Sequence, residues 1–227
     1  MATAIFPAAG QSRRMHSSTN KNFLELDGQP ILLHTLLKFS KSYKIDKLII
    51  AAAADEVELV EEMLNGAESL KSFKVVVGGS ERQYSIANAL KVVSDDCDVV
   101  LVHDAARPLV SVETIDAVVE AAKTYGGAIA AMPEKNTIKT IDDDDFVVDT
   151  PPRDKLVSVQ TPQGFRRDII LKAYEQAERD NFLGTDDASL VERLGCKVKI
   201  VKSDYKNIKI TTPEDILIAK AFLRSDY

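Results

Sequence analysis

The 227-residue sequence has no tryptophan, two cysteines and three histidines, and each shortage removes a class of function. Cys97 and Cys196 are isolated, each beside a Val-rich stretch, which suits small reduced core residues rather than a disulfide or redox pair. His16, His34 and His103 lie far apart, and no Cys/His spacing matches a zinc site. Long apolar runs are missing too. The longest, Leu48 to Ala54, falls far short of the roughly 18–20 residues a membrane span needs. The opening Met-Ala-Thr-Ala-Ile-Phe-Pro has no basic segment ahead of a long apolar one, so no signal peptide is read and a soluble, cytoplasmic chain is expected. Basic residues are in deficit, 29 against 35 acidic, and a net charge of -6 disfavours a nucleic-acid partner. Local clusters can still hold a small anion.

What is present is the mixture of an ordinary globular protein, 45% hydrophobic and 28% charged. Neither an internal repeat nor a linker divides residues 1–227, so one domain is expected. Apolar runs at Thr3–Phe6, Leu48–Ala53, Phe73–Val77, Val99–Val102 and Gly127–Met132 read as strands buried on both faces. Amphipathic helices are predicted between them at Pro30–Phe39, Asp55–Asn65, Ser80–Val93 and Ser111–Tyr125. Ser80 and Gln83 spell a capping box for the third of these helices. Such alternation predicts an α/β fold, a mainly parallel sheet with helices on both faces.

The rhythm breaks after Pro133. Thr137–Ile141 and Phe146–Thr150 alternate as strands around four aspartates, Asp142 to Asp145, and predict a hairpin with a solvated turn. A hairpin this short needs a surface to lie on. Beyond it, strands are expected at Leu156–Val159, Lys197–Val201 and Ile208–Ile210. Helices are expected at Arg166–Arg179, Asp186–Leu194 and from Thr212 to about Arg224.

Chemistry gathers at strand ends. The first strand runs into Pro7-Ala8-Ala9-Gly10-Gln11-Ser12-Arg13-Arg14, where small residues let backbone amides approach an oxyanion and arginines add charge. The loop is neither a Walker loop nor a Gly-x-Gly-x-x-Gly fingerprint. Lys21 follows, a point charge suited to a phosphate that moves during reaction. The third strand ends at Gly78-Gly79-Ser80-Glu81-Arg82, glycines ahead of a helix N-terminus. The fourth ends at His103-Asp104-Ala105-Ala106-Arg107-Pro108, where Asp104 is placed to hold Mg²⁺ between phosphates and His103 reads as packed rather than ligating. Lys209 sits in a short apolar stretch and needs an anionic partner. Together these make a site for a polyphosphate, a metal and a second anionic substrate, which favours nucleotidyl transfer.

These motifs occur in order with Gly78-Gly79-x-x-Arg82-x-x-Ser85, Gln160-Thr161-Pro162-Gln163, Thr185-Asp186 and Asn207-Ile208-Lys209-Ile210-Thr211. The set resembles the 2-C-methyl-D-erythritol 4-phosphate cytidylyltransferases of the non-mevalonate isoprenoid pathway, from about residue 3 to 224. The resemblance implies a Rossmann-like nucleotidyltransferase fold, use of CTP and Mg²⁺, methylerythritol phosphate as acceptor, and a homodimer joined by a projecting arm at residues 133–155. It places Ala8, Ala9, Gly10, Gly79, Ser85 and Ala105 against CTP and Asp104 on the metal. Arg14 and Lys21 would stabilise the transition state, and Arg153 and Lys209 would position the attacking phosphate. Arg107, Thr137, Thr161 and Thr185 would contact the acceptor. Two residues depart from the family pattern. Asn20 replaces the usual proline before the lysine, which implies a looser loop at Lys21, and Ser80 stands where an acidic residue is common. The nearest rival is a sister enzyme that uses a sugar-alcohol phosphate such as ribitol 5-phosphate. Ala-Ala-Gly at 8–10 and Ala-Ala-Arg-Pro at 105–108 favour methylerythritol phosphate. A non-catalytic nucleotide-binding protein would not need Arg14, Lys21, Asp104 and Lys209 together.

Overall fold

The computed structural model describes residues 1–10 and 20–224. Among these, seven strands form one sheet in the order β11-β7-β10-β6-β1-β4-β5. They are β1 (Ala2–Pro7), β4 (Lys47–Ala52), β5 (Phe73–Val77), β6 (Val99–Val102), β7 (Gly127–Pro133), β10 (Val157–Arg166) and β11 (Lys199–Lys202). Only β10 runs antiparallel to its neighbours, β6 and β7. The mainly parallel α/β sheet expected from strand-helix alternation is therefore present.

Both faces of the central strands are buried, and their residues divide with period two. Ala4 and Phe6 of β1 join a core with Leu48, Ile50, Val99 and Leu101, covered by α1 (Ile31–Lys41), α2 (Val57–Asn65) and α4 (Val112–Tyr125). Ile5, Ile49, Val100 and Val102 face the other core, under α3 (Arg82–Leu90), α5 (Arg167–Arg179) and α6 (Asp187–Arg193). A small third cluster seats α7 (Pro213–Arg224) through Ala219 against Leu26, Ile31 and Ile210. Leu26 belongs to the ribbon of β2 (Glu25–Leu26) and β3 (Gln29–Pro30).

Three expectations are corrected. Ser80 does not cap α3: the helix begins at Arg82, its N-cap is Glu81, and no side chain caps it. Ser85 closes that turn instead, its hydroxyl accepting from the Gly79 amide at 3.0 Å and donating to the Glu81 carbonyl at 3.1 Å. Ile208–Ile210 is not a strand. It docks on the loop after β6, where the Ile210 amide donates to the Ala106 carbonyl at 2.8 Å, and no sheet edge is offered to it there. The hairpin pairs over shorter strands than the alternation suggested, β8 (Thr140–Ile141) and β9 (Val147–Asp149). Asp142 Oδ1 accepts from the amides of Asp144 and Phe146, so this aspartate builds the turn.

Candidate active site

The carboxyl ends of β1, β4, β5 and β6 lie on one side because these strands are parallel. Strand order turns at β1, with β4 and β5 to one side and β6 to the other, and ligands bind in the crevice such a reversal opens. A cleft lies there. Its walls include Pro7, Ala9, Gly10, Lys21, Gly79, Ser85, Asp104, Ala105 and Lys209, which arrive from five separate stretches of chain.

Small residues shape one wall of the cleft. A Cβ on Gly79 would stand 2.5 Å from Tyr84 Cβ, and one on Gly78 would stand 2.6 Å from Ala9 Cβ and 3.2 Å from the Ala52 carbonyl. Gly78 brings the turn after β5 against the turn after β1 at a distance no side chain permits, and Gly79 lets that turn close on the first residues of α3. Ala8 is buried, and its amide extends the parallel ladder to the Ala51 carbonyl at 2.8 Å. The Ala8 carbonyl accepts from the side chains of Asn20 at 3.2 Å and Asn22 at 3.0 Å. Asn20 also donates to Glu56 at 2.9 Å, and its Oδ1 accepts from the Asn22 amide at 3.1 Å. The restraint that a proline would place on the backbone before Lys21 is supplied here by the Asn20 carboxamide. Lys21 Nζ donates to the Ile210 carbonyl at 2.9 Å, which brings it beside Lys209 in the cleft.

Asp104 is the electrostatic centre. Lys209 Nζ stands 3.0 Å from Oδ2, Arg107 Nε 3.3 Å from Oδ2, and Arg82 Nε 3.3 Å from Oδ1. Burial opposes its charge, but Arg82, Lys209 and Arg107 outweigh burial and hold its carboxyl well below the usual carboxylate range. Lys209 thus has the anionic partner its apolar setting called for. Lys21, Arg82, Arg107 and Lys209 set against Asp104, the buried Asp187 paired with Arg82, and Glu81 still leave a small excess of positive charge, the sign a polyphosphate requires.

The position of Asp104 is fixed from behind. Its amide donates to Thr161 Oγ1 at 3.0 Å, and that hydroxyl lies 3.1 Å from His103 Nδ1. His103 Nε2 is 3.1 Å from the Arg107 carbonyl, which can only accept, so the proton sits on Nε2 and Nδ1 accepts from Thr161. Burial pushes the His103 pKa down to about 3, so the ring stays neutral. The packed histidine read from the sequence is what the fold holds. Thr161 therefore bears on the cleft through Asp104, its hydroxyl being engaged inside the protein. Thr185 lines a small cavity behind Arg82, together with Tyr174 and Asp187. Arg107 Nη1 donates to the Asn207 carbonyl at 2.7 Å, which ties the loop after β6 to the Lys209 segment.

Thr137 and Arg153 stand apart, on the exposed arm, and neither lines the cleft of its own chain. The Arg153 guanidinium donates to the Lys135 carbonyl at 3.0 Å. Arg14 lies outside the described residues. Arg82, Asn22 and Asn207 were not singled out as site residues, although Arg82 and Asn207 sat inside quoted motifs. The contacts that draw them into the site span 14 residues for Asn22, 22 and 105 for Arg82, and 46 and 47 for Asn207, and no local pattern names them.

Among the described residues no three His, Cys, Asp or Glu side chains converge, so a metal cage built wholly from protein ligands does not fit. Asp104 is a lone carboxylate at a strand end, contacted by Lys209 at 3.0 Å and by Arg82 and Arg107 at 3.3 Å; one carboxylate is enough for Mg²⁺ that keeps its waters and phosphate ligands, and Asp104 is the residue that would hold it.

Comparison with known proteins agrees with this geometry. The family model described as 2-C-methyl-D-erythritol 4-phosphate cytidylyltransferase matches residues 2–225. A protein of that name from Caldanaerobacter subterraneus subsp. tengcongensis is 47% identical over 223 residues, covering 98% of each chain. Another from Geotalea uraniireducens is 46% identical over 226 residues, covering 98% of this chain and 97% of its own. The crystal structure of 4-diphosphocytidyl-2C-methyl-D-erythritol synthase from Anaerococcus prevotii superposes with a TM-score of 0.88 at 34% identity, over 99% of this chain and 96% of that one. The Thermus thermophilus 2-C-methyl-D-erythritol 4-phosphate cytidylyltransferase superposes at 0.79 with 32% identity and 98% coverage of both. With a cationic cleft at the strand-order reversal and a family match from residue 2 to 225, the chain belongs to the 2-C-methyl-D-erythritol 4-phosphate cytidylyltransferase family.

Proposed function

We propose that the cleft transfers CMP from CTP to 2-C-methyl-D-erythritol 4-phosphate, giving 4-diphosphocytidyl-2-C-methyl-D-erythritol and pyrophosphate, a step of isoprenoid precursor synthesis. The observation that carries this reading is the convergence of Arg82, Arg107 and Lys209 on Asp104, with Lys21 in the same cleft, at the edge of a wall made of Ala9, Gly10 and Gly79. A triphosphate and a phosphate monoester both need such a cationic field, and their mutual repulsion is what the site must offset.

No protein nucleophile is required. The acceptor phosphate, with a second pKa near 6, is already mostly dianionic at neutral pH, so its oxygen attacks the α-phosphorus without a general base. Pyrophosphate leaves in line on the opposite side. Lys21 meets the charge that grows on the α-phosphoryl oxygens, together with Arg14. Lys209 and Arg107 hold the attacking phosphate, and the backbone of Ala9, Gly10, Gly79 and Ala105 with Ser85 holds the nucleoside, while Ala8, its amide and carbonyl both engaged within the protein, supports that wall from behind. Mg²⁺ held by Asp104 would supply further neutralisation of the phosphate oxygens.

The arm supports a homodimer as the working unit. Ile141, Phe146, Val147 and Val148 are 56%, 71%, 58% and 61% exposed, an apolar surface of the kind that marks an interface. Seated on a second copy, it would carry Thr137 and Arg153 to the partner's cleft. Among the described residues no helix is long and apolar enough to cross a membrane. The thiols of Cys97 and Cys196, neither in a disulfide, suit the reducing cytoplasm.

The test is pyrophosphate release from CTP with methylerythritol phosphate and with ribitol 5-phosphate, each with and without Mg²⁺. Release only with methylerythritol phosphate and Mg²⁺ is the expected result. Preference for ribitol 5-phosphate, or no release with either acceptor, refutes the reading.

A further inference from the structure

Arg82 opens α3 and reaches the cleft, yet its far end is held outside it. Nη2 donates to Asp187 Oδ2 at 2.8 Å while Nε faces Asp104. Asp187 is fully buried at the start of α6 and is absent from the walls of the cleft. Its other oxygen accepts from the buried hydroxyl of Tyr174, on α5, at 2.5 Å. Around this trio the packing of α5 and α6 is apolar, with Ile170, Ala173, Leu190 and Val191 in contact in the same core. A buried carboxylate is costly in such a place, and burying Tyr174 alone does not call for a charge.

What the carboxylate does is hold the guanidinium. Burial opposes the charge of Arg82, and Asp187 and Asp104 more than restore it, so the side chain is a fixed cation spanning two carboxylates. Arg82 and Ser85 are one turn apart on α3 and share its cleft-facing side, where Ser85 Oγ is tied to the Gly79 amide.

We propose that Asp187 is a positioning residue for the nucleotide: it presets Arg82 at the CTP side of the cleft, so that no long side chain has to be ordered when CTP binds. This rests on the reading of the Gly79–Ser85 corner as the nucleotide side. Asp187 touches no substrate and acts only through Arg82.

The experiment measures CTP affinity by calorimetry on the full chain with Mg²⁺ and no acceptor, then KM for each substrate. Asp187→Asn keeps the shape and removes the charge, and is expected to weaken CTP binding by at least about tenfold, with the acceptor KM unchanged. Tyr174→Phe removes the other bond to the same buried carboxylate and is expected to lower the melting temperature while leaving CTP affinity as in the wild type. Arg82→Lys retains a positive charge but cannot span Asp104 and Asp187, so it should reproduce the weakening, and adding Asp187→Asn should weaken binding no further. Unchanged CTP affinity in Asp187→Asn, or an equal loss in Tyr174→Phe, overturns the proposal. Should Asp187→Asn not fold, wild-type affinity in Arg82→Lys overturns it equally. A wild-type chain that binds no CTP overturns the nucleotide reading of the corner itself, and that result needs no variant.

Discussion

Acid should destabilise this protein through His103 before it touches the carboxylates. The ring is fully buried, 4.8 Å from the Phe39 ring, with both nitrogens engaged. Protonation would place a donor at Nδ1, where an acceptor is needed, and a charge near Arg107 and Arg82. Burial holds the folded-state pKa at about 3, below the ordinary value of 6.5. The unfolded chain therefore takes up the proton first. Stability is intact above about pH 6.5 and is lost as pH falls toward about 3. Between about pH 7 and about pH 5 the linkage amounts to about 2 kcal/mol, and any folded pKa well below 5 gives the same figure. For a chain of this length that corresponds to roughly 4–8 °C in melting temperature. Asp104 titrates in the unfolded chain only near pH 4, outside the window, and comparison with a His103 variant cancels the contribution of the other two histidines. His103→Gln offers a donor for the Arg107 carbonyl and an acceptor for Thr161 without a titrating proton. The assay is urea unfolding of both proteins across this range. The variant starts less stable because ring packing is lost, but its stability should fall by about 2 kcal/mol less. Parallel pH profiles for the two proteins would refute the argument that a buried neutral imidazole props Asp104.

Three further outcomes are expected. Lys21→Ala should lower kcat by at least about 10²-fold with a smaller change in KM for CTP, since its charge serves the transition state; a raised KM alone would mean that it only holds substrate. Gly78→Ala forces a methyl group to within 2.6 Å of Ala9 Cβ and 3.2 Å of the Ala52 carbonyl, so CTP affinity should fall by about tenfold or more; wild-type CTP affinity would show that the two turns can part freely. Mixing inactive Lys21→Ala and Arg153→Ala subunits should restore activity, because a mixed dimer gathers both lesions in one site if Arg153 crosses to the partner. Mixed dimers that form and stay inactive would assign Arg153 to its own chain.

Much of the fold is legible because its cause is local. Runs such as Val99–Val102 are apolar at every position because both sheet faces are covered, and strand-helix alternation then leaves few topologies. The start of α4 has a local cause too, the Ser111 hydroxyl accepting from the Thr114 amide at 3.2 Å. Ser80 misled because a capping spelling competes with tertiary contacts, and Ser85 folding back onto Gly79 moved the helix start two residues on. Ile208–Ile210 looked like a strand by composition alone. Whether an apolar triplet pairs depends on a neighbouring edge, which sequence does not display.

By itself the sequence determined which groups are available and at which strand ends they emerge: the small-residue turn at Ala8–Gly10, Lys21, Asp104, Arg107 and Lys209. Parallel strands deliver their loops to one side, so periodicity is enough to gather them. Only the tertiary structure decided how they are held. That Asp104 is gripped by Arg82 and Lys209 besides its sequence neighbour Arg107, propped through Thr161 by a neutral His103, and that Arg82 is anchored by Asp187, depends, Arg107 apart, on pairs 22 to 105 residues apart in the chain. A buried charge or hydrogen-bond partner is chosen by distances of about 3 Å in the folded state, and no spacing along the chain encodes a contact of that kind.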